Sequence, residues 1–160
     1  MFRLFAFVVL IGLLIGFVLP SGKPRPADAA SVSSGTAHEV VLTRGSSGHF
    51  FARAKVNGKP GIKFIVDTGA SIVALTVKDA QAIGIPVDPS RFTVIGEGAS
   101  GAVRGQRIMI DSIDVDGIRV ERVRGVVLAD STLSLLGQTF LGSVDQISMS
   151  GDYLSLKDGG

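Results

Sequence analysis

The stretch "FIVDTGAS", residues 64–71, places an acidic residue directly after a strongly apolar run and follows it with small residues. Ile62, Phe64 and Val66 alternate onto one face of a predicted strand, which therefore runs through the core and ends at Asp67. A carboxylate at the end of a buried strand, among small residues, is held rigidly and stays accessible. The plainer alternative is an aspartate that only caps a turn, since Asp-Thr-Gly has good turn chemistry.

The sequence around this motif is rich in predicted strands. Asn57-Gly58 and Asp116-Gly117 predict tight hairpin turns. Helix is indicated only at 77–85 and in the short stretch after Gly137. Many short strands with frequent glycine turns predict an all-β fold, a small closed β-structure with one or two short helices. The predicted strands are "HEVVLT" (38–43), "HFFARAKV" (49–56), "IKFIV" (62–66), "RFTVI" (91–95), "VRGQRIMI" (103–110), "IDV" (113–115) and "IRVERVRGVVLA" (118–129).

The 160-residue chain has room for one domain and a short extra segment. Residues 4–19 form an uninterrupted apolar run, so 1–20 is predicted to be a hydrophobic transmembrane helix or a signal segment. Residues 21–36 are rich in Pro, Ser, Gly and Ala and predict a flexible linker. The folded domain is then expected at 37–160.

The N-terminal segment bears on localisation. An uncleaved anchor, with the domain on the periplasmic or extracytoplasmic side, is favoured over secretion after signal cleavage. The small-residue site "ADA" (27–29) lies far beyond the apolar run, which argues against cleavage. Positive charges flank the run on both sides, so they scarcely determine its orientation.

Composition excludes several kinds of site. Cysteine and tryptophan are absent and the basic residues are scattered, which argues against thiolate catalysis, cysteine-bound zinc and a nucleic-acid groove. "GEGASG" (96–101) has the spacing of a dinucleotide loop, but a predicted strand follows it where that loop needs a helix. "DSIDVDG" (111–117) resembles a calcium loop, but Val123 stands where the loop needs a glutamate. No metal or other cofactor is therefore expected.

A second motif, "SLLGQTFL" (134–141), follows about 70 residues after the first and joins two apolar residues to a glycine and a short helix start. With "FIVDTGAS" and "GEGASG", in this order and spacing, the chain resembles the retropepsin-like aspartic proteases. It is most similar to the bacterial type that carries one N-terminal hydrophobic segment before a single domain. The resemblance covers about 37–156 and implies a small closed acid-protease β-barrel.

The resemblance implies that Asp67 is the catalytic aspartate. Such enzymes place two carboxylates around one water, yet this sequence has a single Asp-Thr-Gly. The active form is therefore expected to be a homodimer that hydrolyses peptide or protein substrates, with Asp67 of each copy at the two-fold axis.

The other implied roles surround this residue. Thr68 would tie the two active-site loops together and Gly69 would leave room for the water. Ala70 replaces a hydroxyl of pepsin-like relatives, which should favour less acidic working conditions, and Ser71 replaces a substrate-contacting aspartate of the retroviral ones. The flap over the substrate is assigned to Ile95, Gly96, Glu97, Gly98, Ala99, Ser100 and Gly101, and structural support to Leu135, Leu136 and Gly137.

Two other functions compete with this interpretation. The first is a non-catalytic, membrane-tethered module of the same fold that binds a peptide or dimerises. The second is a structural envelope protein with a coincidental Asp-Thr-Gly. An intact triplet favours the peptidase, because a module without chemistry has no reason to place an acid at that position.

Overall fold

The fold is a closed β-barrel with a small sheet beside it. A computed structural model describes residues 37–98 and 101–159. These residues form ten strands, two short α-helices and a 3-10 turn at Pro89–Arg91. The strands are β1 (His38–Thr43), β2 (Phe51–Val56), β3 (Lys59–Val66), β4 (Val73–Thr76), β5 (Thr93–Gly98), β6 (Gly101–Val115), β7 (Ile118–Leu128), β8 (Ser134–Leu136), β9 (Gln146–Ser150) and β10 (Tyr153–Asp158), and the helices are α1 (Val77–Ala82) and α2 (Gln138–Leu141).

Six strands make the barrel. They run in the order β2-β3-β8-β4-β7-β6, and a short pairing between β2 and β6 closes the ring. β5 pairs only with β6, so the β5–β6 hairpin projects from the barrel. Fully buried side chains such as Phe64, Leu75, Ile110 and Phe140 form part of one hydrophobic core. This arrangement confirms the predicted all-β fold with a closed barrel and two short helices.

A three-stranded antiparallel sheet, in the order β1-β10-β9, lies beside the barrel. Its inner side chains Val40, Leu154 and Leu156 are buried and belong to the same hydrophobic core as the barrel. β1 and β9 are the two edges of this sheet, and most residues of β9 are exposed. Strands β9 and β10 were missing from the sequence prediction, which placed nothing between α2 and the end of the chain.

The predicted turns and helices are present with small shifts in their ends. Asn57 and Asp116 have positive φ angles of 51° and 48°, and a glycine with positive φ follows each, as a tight hairpin turn requires. The predicted strands 103–110 and 113–115 are one continuous strand, β6. α1 ends at Ala82 rather than at 85, because Gly84 adopts a φ of +82° and turns the chain out of the helix.

The predicted membrane segment (1–20), the linker (21–36) and the flap residues Ala99 and Ser100 lie outside the described residues. Within residues 37–98 and 101–159, no helix combines the length and the apolar character that crossing a membrane requires.

Candidate active site

Asp67 lies where β3 leaves the barrel, as the sequence pattern predicts. Ile62 and Phe64 on the same strand are buried, whereas Asp67 is only half-buried and the two residues after it are exposed. The apolar face of β3 therefore holds the strand in the core, and the carboxylate stands at its open end. In the single chain, the acid is presented at the surface of the domain rather than enclosed within it.

The loop after β3 is organised by the carboxylate itself. The backbone N–H of Gly69 donates to Asp67 Oδ1 at 2.9 Å, and the N–H of Ala70 donates to the Asp67 carbonyl at 3.2 Å. One carboxylate oxygen is thereby oriented by the turn that follows it. A Cβ added to Gly69 would lie 3.3 Å from that same oxygen, so this position leaves little room for a side chain.

Strand β8 supports the loop at residues 67–71, called the catalytic loop here after its predicted role. It runs parallel to β3, with Leu136 opposite Val66, and pairs with β4 on its other side. The backbone N–H of Asp67 donates to the Leu136 carbonyl at 3.1 Å, which anchors the end of β3 to β8. Leu136 is fully buried and Leu135 is half-buried, so this three-residue strand also contributes to the core.

Gly137 allows the loop and α2 to approach one another. A Cβ at this position would lie 2.4 Å from the Ile72 carbonyl oxygen and 2.7 Å from that of Ala70. The next residue, Gln138, donates its backbone N–H to the Ala70 carbonyl and its side-chain amide to the Thr68 carbonyl, both at 2.8 Å. The catalytic loop is thus held by β8 and by the first residue of α2.

A partly buried polar network supports β8 at its first residue, Ser134. The Ser134 hydroxyl donates to Asp79 Oδ2 at 2.6 Å and accepts the backbone N–H of Thr76 at 3.1 Å. The Thr76 hydroxyl in turn accepts the N–H of Asp79 and caps α1. Sequence reasoning missed this network and the role of Gln138, because each pair of partners is far apart in the chain.

Comparison with solved structures identifies the family. The crystal structure of a retropepsin-like aspartic protease from Rickettsia conorii matches with a TM-score of 0.63 and 32% sequence identity, covering 76% of this chain and 91% of that one. The family described as "gag-polyprotein putative aspartyl protease" matches residues 52–143, more than half of the chain. This chain belongs to the retropepsin-like aspartic proteases.

Two curated relatives and a further solved structure are also similar to this chain. A Sinorhizobium protein named "Uncharacterized protein in cobV 5'region" is 38% identical over 122 residues, and "Uncharacterized protein RP867" of Rickettsia prowazekii is 35% identical over 119. The matches cover 75% and 74% of this chain but 52% and 51% of those proteins, so the chain spans about half the length of these curated relatives. The EIAV protease complexed with the inhibitor HBY-793 shares the fold, with a TM-score of 0.51 and 22% identity over 63% of this chain and 92% of that one.

The retropepsin-like domain carries its predicted flap as the β5–β6 hairpin. Gly96 pairs with Val103, and Gly98 pairs with Gly101, whose φ is +107°. Ile95 is half-buried, whereas Gly96 and Glu97 are exposed. Residues 96–98 and 101 of this motif therefore lie in strands and not at a helix start, as the flanking sequence predicted. The assignment of this hairpin as a flap stays a prediction.

The other predicted residues around Asp67, at 68–71, lie in the loop that directly follows it. Thr68, Gly69 and Ser71 are exposed, and Ala70 is half-buried. The Thr68 hydroxyl makes no hydrogen bond within residues 37–98 and 101–159, although its carbonyl is bound by Gln138. Its predicted contact across a dimer axis, like the other roles taken from the resemblance, stays a prediction. In the described part of the chain, no three side chains capable of binding a metal ion come together.

Proposed function

We propose that this chain is an aspartic endopeptidase that works as a homodimer, with Asp67 of each copy supplying one carboxylate. The observation that carries the proposal is the single Asp-Thr-Gly loop, anchored on β8 and open to solvent at the end of β3. Membership of the retropepsin-like family supports aspartic protease chemistry in general. The homodimer, the substrate and the reaction step are our own proposals.

A second copy is needed because one carboxylate cannot perform both acid and base roles at once. In the proposed step, one Asp67 as carboxylate takes a proton from a water molecule, whose oxygen attacks the peptide carbonyl carbon. The partner's Asp67, protonated, donates a hydrogen bond to the carbonyl oxygen. The carbon–nitrogen bond then breaks, and the leaving amine receives a proton from the pair.

Other acids of the same chain are poor sources of the second carboxylate. Asp145 directly precedes β9 and its Oδ2 accepts the backbone N–H of Gly159 at 2.7 Å, so it belongs to the small sheet rather than to the loop after β3. Asp79 is occupied by Ser134 behind β8. Neither lies in a loop with the Asp-Thr-Gly pattern. A symmetric partner that presents the same loop is the simplest source.

The substrate would be an extended segment of peptide held between the β5–β6 hairpin and the catalytic loop. Extended peptides bind to strand edges mainly through their backbone, and side-chain pockets then select the sequence. Closing such a hairpin over the peptide would exclude water from the reacting bond.

We also propose that the hydrophobic segment 1–20 keeps the enzyme at a membrane, with the domain on the extracytoplasmic side. This proposal is supported by the sequence alone: an apolar run at 4–19 followed by a linker long enough to separate it from the domain. Protease accessibility of the domain in intact cells and in opened cells would test the side on which it lies.

The decisive experiment compares the full chain with its Asp67→Asn variant in a nonionic detergent. Asparagine keeps the oxygen that accepts the Gly69 N–H, so the loop should fold while the base is lost. Each protein is incubated with a mixture of unfolded proteins from acidic to neutral pH, and new peptide termini are mapped. The matched control is Asp130→Asn, which removes an exposed carboxylate elsewhere.

We expect the full chain and Asp130→Asn to produce the same new termini and Asp67→Asn to produce none. Equal cleavage by Asp67→Asn would contradict the proposal. Failure of a folded, dimeric wild-type chain to cleave any peptide in the mixture would favour the non-catalytic peptide-binding module instead.

A further inference from the structure

A groove of about 880 Å³ lies beside the catalytic loop. Ser71 and Ile72, which follow Asp67 by four and five residues, line it together with Ile95 of the predicted flap. Asp67 itself does not line this groove, so the groove lies next to the reaction centre rather than over it. A peptide held at the catalytic loop would therefore reach the groove with residues outside the cleaved bond.

Three arginines line this groove, and they come from three separate parts of the chain. Arg91 ends the 3-10 turn, Arg107 lies on β6 and Arg124 lies on β7. All three side chains belong to exposed residues. The only acidic residue in the lining is Asp111, so the groove carries an excess of positive charge.

None of these three arginines forms a salt bridge in the described part of the chain, although Arg91 lies close enough to Asp88 to help lower the pKa of that carboxyl group. The salt bridges there join other residues: Arg44 with Asp152, Arg119 with Glu121, and Lys157 with Glu39. The whole sequence has a formal charge of only +2, so three guanidinium groups without a salt bridge in one groove are a local excess of positive charge. A guanidinium presents a planar fork of donors that matches a carboxylate group.

The apolar part of the lining suits a peptide rather than a small anion. Ile72, Ile95 and Ile108 lie in the same groove as the arginines. An extended peptide places successive side chains on opposite sides and advances about 3.3 Å per residue. Such a chain can set apolar side chains against the isoleucines and acidic ones against the arginines.

We infer that this groove is a specificity subsite that selects substrates with acidic residues flanking the cleaved bond, through Arg91, Arg107 and Arg124. The inference rests on the proposed peptidase function for its biological meaning. The binding preference itself can be measured without any cleavage.

Binding is tested with the full-length Asp67→Asn chain in nonionic detergent. The probes are fluorescein-labelled peptides that share a Leu-Phe centre and carry glutamate, glutamine or lysine on both flanks. We expect the glutamate peptide to bind most tightly, and each of Arg107→Gln and Arg124→Gln to weaken it by roughly two- to fivefold, the range of an exposed ion pair. Arg53→Gln, which removes the same charge from β2 outside this groove, should leave the preference unchanged.

Charge reversal and added salt provide two further tests of the binding preference. Arg124→Glu should shift the preference toward the lysine peptide. The preference should shrink between about 0.1 M and about 1 M salt, where the screening length falls from about 10 Å to about 3 Å. Equal binding of the three peptides, or an equal loss in Arg53→Gln, would overturn the inference. So would tighter binding of a single-stranded oligonucleotide through the same arginines.

Cleavage of the same unlabelled peptides separates this inference from the proposed function. If the wild-type chain cleaves the glutamate and glutamine peptides equally well, the peptidase stands and the acidic subsite fails. If the Asp67→Asn chain prefers the glutamate peptide but the wild type cleaves none, the subsite stands and the peptidase fails. Cleavage with a glutamate preference that falls in Arg107→Gln and Arg124→Gln supports both.

Discussion

Gly137 shows how a single residue without a side chain keeps the catalytic loop in position. Replacing it with alanine would place a Cβ within 2.7 Å of two backbone carbonyl oxygens, of Ala70 and Ile72, and backbone cannot move aside as a side chain can. We expect Gly137→Ala to destabilise the fold by about 1–3 kcal/mol, toward the upper end of the range for overpacking. The measurement is urea unfolding followed by circular dichroism.

The matched control for this substitution is Gly96→Ala. A Cβ at Gly96 would meet no heavy atom within 4 Å, and the residue is exposed. Its unfolding midpoint should stay close to that of the wild type. An equal midpoint for Gly137→Ala would show that the contact between α2 and the catalytic loop is looser than the structure indicates.

At the scale of residues, Asp67 and Gly137 could be singled out from the sequence, but the residues that hold them in place could not. Asp67 and Gly137 stand in short local patterns that can be read directly. Gln138 could not be assigned, because its partner Thr68 is 70 residues away in the chain and only the fold brings the two together. Ser134 belongs to the motif at 134–141, but nothing in its local sequence indicates a hydrogen bond to Asp79.

At the scale of elements, one buried hydroxyl links β8 to β4 and α1. Ser134→Ala would leave the Thr76 N–H without its acceptor and the Asp79 carboxylate without its hydroxyl donor. Leaving such groups unpaired in a buried place costs about 1–3 kcal/mol, so the unfolding free energy should fall by that amount. Ser148→Ala, at an exposed position of β9, is the control and should unfold as the wild type does. A loss no larger than that of the control would mean that the network does not support β8.

The pairing of β1 with β10 predicts a small dependence of stability on pH. The pKa of Glu39 lies below its ordinary value of 4.5, first because the Ser155 hydroxyl donates to its carboxylate and then because Lys157 does. The folded state therefore binds this proton less readily than the unfolded state. The contribution is present above the ordinary pKa and is lost as pH falls through the lower, folded value.

We expect Ser155→Ala to raise the pKa of Glu39 toward 4.5, as measured by carbon-13 NMR titration of the carboxyl group. The pKa of Glu39 should move only part of the way to 4.5, because Lys157 Nζ remains 3.3 Å from the same carboxylate oxygen. A titration curve unchanged by the substitution would rule out the Ser155 hydrogen bond as the main cause.

The elements that the sequence predicted correctly are those with local signals. Alternating apolar residues gave β1, β2, β3 and β7, and the Asn-Gly and Asp-Gly pairs gave their turns. β4, β8 and β9 are three to five residues long, too short for a periodic pattern. β8 also forms by pairing with β3 and β4, which are far from it in the sequence.

At the scale of the whole molecule, the proposed dimer makes a quantitative prediction. If the wild-type chain and Asp67→Asn are mixed in equal amounts and exchange freely, about one quarter of the dimers carry two aspartates. Peptidase activity should then fall to about one quarter of that of the same total amount of wild type. Activity near one half would contradict a site shared between two copies, because each chain would then work alone.

The positive charge of the groove beside the catalytic loop is also a property of the whole fold. Arg91, Arg107 and Arg124 lie on the 3-10 turn, β6 and β7, and the sequence shows them only as scattered basic residues. The closed barrel is what gathers them. Charge clusters of this kind are invisible to any reading that treats the chain one segment at a time.

The position of β8 between β3 and β4 has a consequence for the order in which the proposed site can form. Translation makes Asp67 early, but the backbone that receives its N–H is made 69 residues later, at Leu136. In a growing chain, the Asp67 N–H therefore lacks its acceptor until β8 has been made. The proposed peptidase site would therefore form only after β8 has been made and has paired with β3.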